Sequence, residues 1–249
     1  ASFTATNASN APVVATITVT PGYTNAGTTC TGTPRTFTIT VNPTPTVDPV
    51  ANQAVCNNAP TTAVNFTGFV PGTVYNWTNS DPSIGLAASG TGNIASFTAT
   101  NPGTAPVTAT ITVTPSYTNA GTTCTGTPIT FDITVNPTGQ VNQPASQVVC
   151  NNTPTAPVNF TTTVPGTVFD WVNNAPSIGL AASGTGNIAS FTATNATNAP
   201  VVATVTVTPS YVSSVSGTQT FNFTGGIQTF TVPAGVTSVF LQSWGAQGG

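Results

Sequence analysis

The sequence predicts an all-β protein built from tandem β-sandwiches with a period of 94 residues. Three observations predict this fold class. Apolar side chains alternate with Thr over several short segments, as in strands with one buried face. Thr supplies 55 of the 249 residues and suits a solvated sheet surface. Residues 1–43 match residues 95–137 at 36 of 43 positions, and residues 44–94 match residues 138–188 at 34 of 51.

This period is longer than a solenoid unit and corresponds to one small domain per repeat. The chain opens with ASFTATN at Ala1, and the same letters return from Ala95 and Ala189. The chain therefore starts inside the repeated unit, and we expect it to be part of a longer array. The repeat predicts four segments: the C-terminal half of a repeat (1–43), a complete repeat (44–137), a repeat with an altered end (138–217) and the truncated start of another β domain (218–249).

Strands can be assigned within the complete repeat from alternation and turn clusters. The segments VTATITVT (107–114) and ITFDITV (129–135) place aliphatic side chains on one face and mostly Thr on the other. Six or seven short strands per repeat predict a two-sheet sandwich of immunoglobulin-like type. Further strands are expected at Val50–Cys56, Ala63–Thr67, Thr73–Trp77 and Ile94–Thr100.

Large aromatic residues recur at positions that such a sandwich would bury. Trp77 and Trp171 lie on the expected third strand of their repeats, and Phe97 and Phe131 lie on the apolar faces of later strands. We expect these four side chains to form cores, because a buried Trp on the third strand is common in sandwiches of this type.

Several whole phrases resemble a known family. They are NPTPTVDPVANQAVCNN, TVYNWTNSDPSIGLAASGTGNIASFTATN and TATITVTPSYTNAGTTCTGTPITFDITVNP. This pattern is similar to the PKD-like repeats of giant secreted surface adhesins of Bacteroidota, including adhesins of gliding species. The resemblance implies an extracellular stalk at a bacterial cell surface, with roles in cell adhesion and gliding motility, exported by the type IX secretion route.

The last segment departs from the repeat. After Tyr211 the expected TNAGTTCTGTP is missing, and FTVPAGVTSV and WGAQGG follow instead. These phrases resemble the opening of glycine-rich domains in bacterial surface proteins. Two assignments stay open for Thr218–Thr224: the last strand of the third repeat, or the first strand of the next domain.

The composition excludes several classes of function. Arg35 is the only cation, so the chain has no basic patch for a nucleic acid. No apolar run approaches the 18 residues that a membrane span needs, and we expect no membrane insertion. With no His, Lys or Glu, we expect no enzyme activity, no metal site and no cofactor. The four carboxylates do not recur at equivalent positions of the repeat: Asp48, Asp81, Asp132 and Asp170.

The cysteines are the one repeated reactive feature. Four cysteines in an extracellular chain without metal ligands indicate disulfides. Pairing along the chain, Cys30 with Cys56 and Cys124 with Cys150, uses all four, and we favour it on parity. A bond between Cys56 and Cys124 within one repeat, or a bond from the first turn of one repeat to the last hairpin of the next, would leave a cysteine unpaired.

Three functions remain open at this point. The first is a structural stalk whose partners are the neighbouring repeats of the same chain and the secretion machinery. The second is a module that binds surface glycans, for which a periodic row of tyrosines is the best candidate: Tyr23, Tyr117 and Tyr211. The third is a subunit of an extracellular fibre that assembles by strand donation, because residues 1–43 hold only the last strands of a sandwich.

Overall fold

The computed structural model describes residues 2–213, 229 and 239–240. The described part is nearly all β, which confirms the all-β fold class. It contains thirteen strands: β1 (Val13–Val19), β2 (Gly22–Asn25), β3 (Thr28–Thr31), β4 (Arg35–Val41), β5 (Gln53–Cys56), β6 (Val74–Asn79), β7 (Ser89–Thr91), β8 (Val107–Asn119), β9 (Thr122–Thr125), β10 (Ile129–Asn136), β11 (Thr167–Asn173), β12 (Ser183–Thr185) and β13 (Val205–Tyr211).

The chain divides into two compact units. Unit 1 comprises Ala1–Asn101 with Val107–Val135, and unit 2 comprises Pro102–Pro106 with the described part of Asn136–Gly249. The expected fourth segment, residues 218–249, and the question of Thr218–Thr224 lie outside the described residues, apart from Thr229, Val239 and Phe240.

The main sheet of unit 1 has the order β5-β10-β8-β6-β7, with β9 paired to the far half of β8. Strands β8 and β10 are antiparallel, with Ile111 opposite Phe131 and Ala109 opposite Ile133. Their inward residues are completely buried or nearly so, except for Val107 and Ile129, which are half-buried. The outward Thr side chains pair across the strands, which is a favourable arrangement on a solvated face. The alternation in the sequence therefore sets both faces of this sheet.

The layer opposite this sheet consists of extended segments rather than regular strands. Val64 and Ile94 exchange two backbone hydrogen bonds of 2.8 and 3.0 Å as an isolated bridge. Side chains take over the neighbouring positions, because the N–H of Phe66 donates to Oδ1 of Asn93 and the N–H of Phe97 donates to Oγ1 of a threonine. The expected strand at 63–67 is thus reduced to one isolated bridge, and that at 94–100 to two, through Ile94 and Thr98.

The core of unit 1 lies between these two layers. Trp77 and Phe131 are buried in it, and Phe97 packs against it half-buried. The indole N–H of Trp77 donates to the carbonyl of Gly92 at 3.2 Å, so its polar atom is satisfied. The indole ring covers Gly90 on the neighbouring strand β7, where an added Cβ would overlap the ring.

The phrase PSIGL forms a turn of 3₁₀ helix, which the alternation of apolar and polar residues does not predict. In unit 1 it spans Pro82–Ile84 and buries Ile84 completely. The turn ends at Gly85, whose φ of 95° is a left-handed conformation that glycine adopts without strain. The same turn recurs in unit 2 at Pro176–Ile178.

Unit 2 repeats part of this architecture. Its sheet has the order β12-β11-β13, with Trp171 opposite Val207 and Gly184. Trp171 is buried with Phe160 and Ile188. Its indole N–H donates to a glycine carbonyl at 3.1 Å, as in unit 1.

Residues 2–41 form two short hairpin sheets inside unit 1. Strand β1 pairs with β4 from Val13 opposite Val41 to Val19 opposite Arg35, and β2 pairs with β3. Most of their residues are exposed, including the apolar ones.

Candidate functional site

Outside the cores, the linker at residues 42–48 has the most extensive set of specific contacts. It connects the strand pair β1–β4 to the complete repeat. The side-chain N–H of Asn119 donates to Oδ1 of Asn42 at 2.8 Å, and the two residues are 77 positions apart. Pro43 and Pro45 are fully buried. Proline also restricts its own φ and the residue before it, so this linker has few accessible conformations.

The linker packs closely against a glycine and forms hydrogen bonds with neighbouring loops. A side chain at Gly126 in the β9–β10 connection would overlap the carbonyl oxygen of Pro45. Oγ1 of Thr46 accepts from the N–H of Phe69 at 3.0 Å. The next polar residue, Asp48, donates its N–H to the carbonyl of Thr67 at 2.8 Å and accepts from the Thr67 hydroxyl at 2.7 Å.

The corresponding linker of unit 2 keeps only part of this arrangement. Asn142 takes the place of Asp48 and donates its N–H to the carbonyl of Thr161 at 2.8 Å. Oδ1 of Asn136, the counterpart of Asn42, is buried without a hydrogen-bond partner among the described residues. The counterpart of Asn119 is Ser213, whose shorter side chain carries no amide donor.

Replacing Asn119 with alanine is expected to lower the free energy of unfolding of unit 1 by about 1 kcal/mol, because the half-buried Asn42 side chain loses its partner. Asn25 occupies the same position in the exposed β2–β3 hairpin and supplies the control. Urea unfolding of N119A and N25A measures the difference. Equal effects of the two substitutions would contradict a role for the amide pair.

The four cysteines are free thiols in the structure. Cys30, Cys56 and Cys150 are exposed, and Cys124 is half-buried. None of the expected bridges is formed among them. A bridge between Cys124 and Cys150 would join the two units and stays a prediction, as does pairing between the first turn of one repeat and the last hairpin of the next.

In the folded complete repeat, Cys56 lies at the same end of the sandwich as the C-terminus of β10. The turn that follows it is fixed by Asn57, whose Oδ1 accepts from the N–H of Asn101 at 2.7 Å. The Asn101 side chain donates in turn to the carbonyl of Val135 at 2.7 Å. Cys150 precedes the same kind of turn in unit 2.

Cys124 lies at the opposite end of the same repeat. Cys124 is paired with Tyr117 in the β8–β9 hairpin. Tyr117 lies ten residues after Val107 on β8, and Val107 is the residue paired with Val135. At about 3.3 Å per residue the two ends are about 33 Å apart. A disulfide needs Cα atoms about 5.5 Å apart, so Cys56 does not reach Cys124 in this fold.

The favoured bridge from Cys30 to Cys56 meets the same obstacle. Cys30 faces Tyr23 in the β2–β3 hairpin, beyond the end of the β1–β4 pair where Val19 is opposite Arg35. The linker to the complete repeat leaves from the other end of β4, and Cys56 lies at the far end of that repeat. The sequence favours this pairing because it uses all four cysteines. The strand directions, however, determine which cysteines come close enough to form a bond.

The three tyrosines differ in their surroundings. Tyr23 is 72 % exposed on its hairpin. Tyr117 and Tyr211 are half-buried, and each lies beside the glycine of a Val-Pro-Gly turn. A Cβ placed on Gly72 would lie 3.9 Å from Cε2 of Tyr117, and one placed on Gly166 would lie 3.5 Å from Cε2 of Tyr211. The two units therefore place this tyrosine in the same way, with a ring-edge carbon next to the turn glycine.

Three of the four carboxylates accept hydrogen bonds from nearby residues. Besides Asp48, Asp132 accepts from the hydroxyl of Thr110 at 2.8 Å, and Asp81 caps the 3₁₀ turn by accepting from the N–H of Ser83 at 3.0 Å. Within the described residues, no group of three or more His, Cys, Asp or Glu side chains lies close enough to hold a metal ion.

The cap made by Asp81 predicts a pH dependence. The hydrogen bonds from Ser83 lower the pKa of Asp81 below its ordinary value. A lowered pKa means that the cap stabilises the folded turn above the pKa of the unfolded chain, near 4, and that this contribution is lost as pH falls through the lowered pKa. Unit 2 has Ala175 at this position and no side-chain cap.

A carboxyl-carbon NMR titration checks this expectation. We expect the midpoint of Asp81 to lie below that of an aspartate in a short unstructured peptide, and S83P, which removes the N–H donor, to bring it back. A midpoint at or above the peptide value would contradict the cap.

No protein-family model matches the chain, and no curated protein is similar to it. Within the described residues, no helix is long and apolar enough to span a membrane.

Proposed function

We propose that the chain is a structural stalk segment of a large extracellular adhesin on a bacterial cell surface, exported by the type IX route, which projects a distal functional region away from the cell. Its repeats are immunoglobulin-like, PKD-like β-sandwiches with a period of 94 residues. Each repeat binds its neighbours in the same chain. The main support for this proposal is the linker at residues 42–48, which has buried prolines and a hydrogen bond from Asn119 to Asn42.

The path of the chain through the complete repeat supports a spacer. The linker meets the repeat beside Asn119, at the hairpin end of β8, and the chain leaves after Val135, which faces the first residue of β8. Strand β8 has 13 residues, so entry and exit are about 40 Å apart. A repeat with this geometry adds length, which a repeat with adjacent entry and exit would not.

The fastening of the linker supports stiffness. Asn42 is hydrogen-bonded to Asn119 of the complete repeat, and Pro43 beside it is fully buried. Pro45, Thr46 and Asp48, at the start of the complete repeat, are buried or hydrogen-bonded within it. A flexible tether would instead expose these residues and leave their polar groups to water. The low charge of the chain is consistent with this role, because a spacer needs no catalytic groups.

Strands β5 and β10 of the repeat also suit a load along the chain. Strand β5 lies beside β10, and contacts at its two ends run in the same direction: Asn52 accepts from the N–H of Asp132, and Asn57 is tied through Asn101 to Val135. Tension on the two ends of the repeat therefore pulls β5 and β10 past each other. In this shear geometry we expect the hydrogen bonds between the two strands to bear the load together.

Single-molecule force spectroscopy tests the proposal. Stretching the chain between its ends should give discrete unfolding steps, with a length gain of about 300 Å for a complete repeat, because 94 residues extend to about 340 Å and the folded repeat spans about 40 Å. N119A should not change this gain. Smooth extension without steps, or specific binding of the chain to a glycan array, would contradict a purely structural role.

A further inference from the structure

The strand pair β1–β4 has the same sequence pattern and register as β8–β10. Ile17 is opposite Phe37, as Ile111 is opposite Phe131. Both pairs also carry the same side-chain clamp, in which an Asn amide donates to the carbonyl of the last valine at 2.7 Å. The half-repeat at residues 2–41 is therefore already folded as the second half of a complete repeat.

The two pairs differ in what covers them. The apolar face of β1–β4 is open: Ile17 is 37 % exposed, whereas Ile111 is completely buried. Phe37 is 52 % exposed, whereas Phe131 is 2 % exposed. Contiguous exposed apolar surface of this kind marks a binding surface.

The complete repeat shows what fits this face. Half of the buried core residues of unit 1 come from the first half of the repeat and cover β8 and β10: Val47, Val64, Phe66, Trp77, Ile84, Leu86 and Ile94. The first half also pairs by backbone hydrogen bonds, since the N–H of Asn58 donates to the carbonyl of Ala99 at 2.8 Å. The Cys-Asn-Asn turn thus seats directly on Ala99.

The corresponding seat on the half-repeat is an open cavity of about 350 Å³. It is lined by Ala5, the counterpart of Ala99, together with Val41 and Asn42. Cys124 and Asn119 of the complete repeat line its other side. A Cys-Asn-Asn turn placed on Ala5 would enter this cavity.

We propose that the apolar face of β1–β4 binds one occupant: a first-half segment with the sequence pattern of residues 44–94. A second copy of the chain has no such segment free. Its residues 44–94 already cover β8–β10, and in unit 2 the N–H of Thr155 already donates to the carbonyl of Phe191. Attaching such a segment ahead of residue 1 reproduces the covalent order of the complete repeat, where Ile94 precedes Ala95.

This proposal does not depend on the stalk function. It is tested by fusing a copy of residues 44–94, with C56S in the copy, ahead of residue 1 of the full chain. The matched control fusion has the same length and carries V64S, F66S and I94S in the copy, which removes the apolar contacts. The readouts are amide hydrogen exchange of β1 and β4 and the rate of maleimide labelling of Cys124.

In the fused chain, exchange in β1 and β4 should slow at least tenfold and labelling of Cys124 should slow at least tenfold. Exchange in β8 and β10 and labelling of the exposed Cys30 should stay unchanged. The control fusion should behave like the unfused chain. Unchanged exchange and labelling in the fused chain would overturn the proposal, and so would an unfused chain that dimerises and protects β1 and β4 by itself.

Discussion

Phe131→Ala is expected to lower the free energy of unfolding of unit 1 by about 3–5 kcal/mol, which is the usual cost of removing a buried Phe side chain. Phe131 is 2 % exposed, and its ring lies 6.5 Å from that of Phe66 between centroids. The substitution removes these contacts and leaves a cavity, because close-packed interiors collapse only partly around a missing ring.

The repeat supplies an internal control for this substitution. Phe37 is the same residue in the same register of the sequence repeat, but it is 52 % exposed. Phe37→Ala should cost less than about 1 kcal/mol. Chemical unfolding, followed by Trp77 fluorescence in a W171F/W244F background, measures both variants. Equal costs would mean that the two strand pairs are buried alike, against the structure.

Gly90→Ala is expected to destabilise unit 1 by about 1–3 kcal/mol, although alanine is a small and otherwise favourable residue. Gly90 lies on β7 opposite Trp77, and a Cβ at this position would overlap the indole ring. The ring cannot move away without losing its hydrogen bond to the carbonyl of Gly92 and its place in the core.

Gly22→Ala is the matched control, since a Cβ at Gly22 would meet only one methyl group, at 3.8 Å. We expect that variant to change stability by less than about 0.5 kcal/mol. Thermal unfolding of the two variants in the same W171F/W244F background, with the near-ultraviolet signal of Trp77 as the probe, gives the comparison. A neutral G90A would show that the indole is not held against β7.

The sequence predicted the strands whose side chains alternate, but it also predicted strands at 63–67 and 94–100, where side chains replace part of the backbone hydrogen bonding. Residues 107–114 alternate strictly, but β8 continues to Asn119 through Pro115. Proline weakens a strand assignment because it cannot donate to the ladder. Here the carbonyl of Pro115 accepts from Gly126 and its ring is buried, so the strand continues past it.

The linker could not be predicted because its contacts join residues far apart in sequence. Nothing near Asn42 indicates a partner 77 residues away, and Gly126 has the appearance of an ordinary turn glycine. The buried aromatic positions were easier, since Trp77 and Trp171 recur at the period and each lies on a strand with one apolar face. Local periodicity therefore predicts burial, whereas the junction between repeats depends on tertiary packing.

The central claim is that each repeat is a stiff spacer about 40 Å long. The most direct test inserts one, two or three additional copies of residues 44–137 into the full chain and measures the maximum dimension of each protein by small-angle X-ray scattering. We predict a linear increase of about 40 Å per added repeat. A much smaller increase that falls with each added repeat, as for domains on flexible linkers, would contradict the claim.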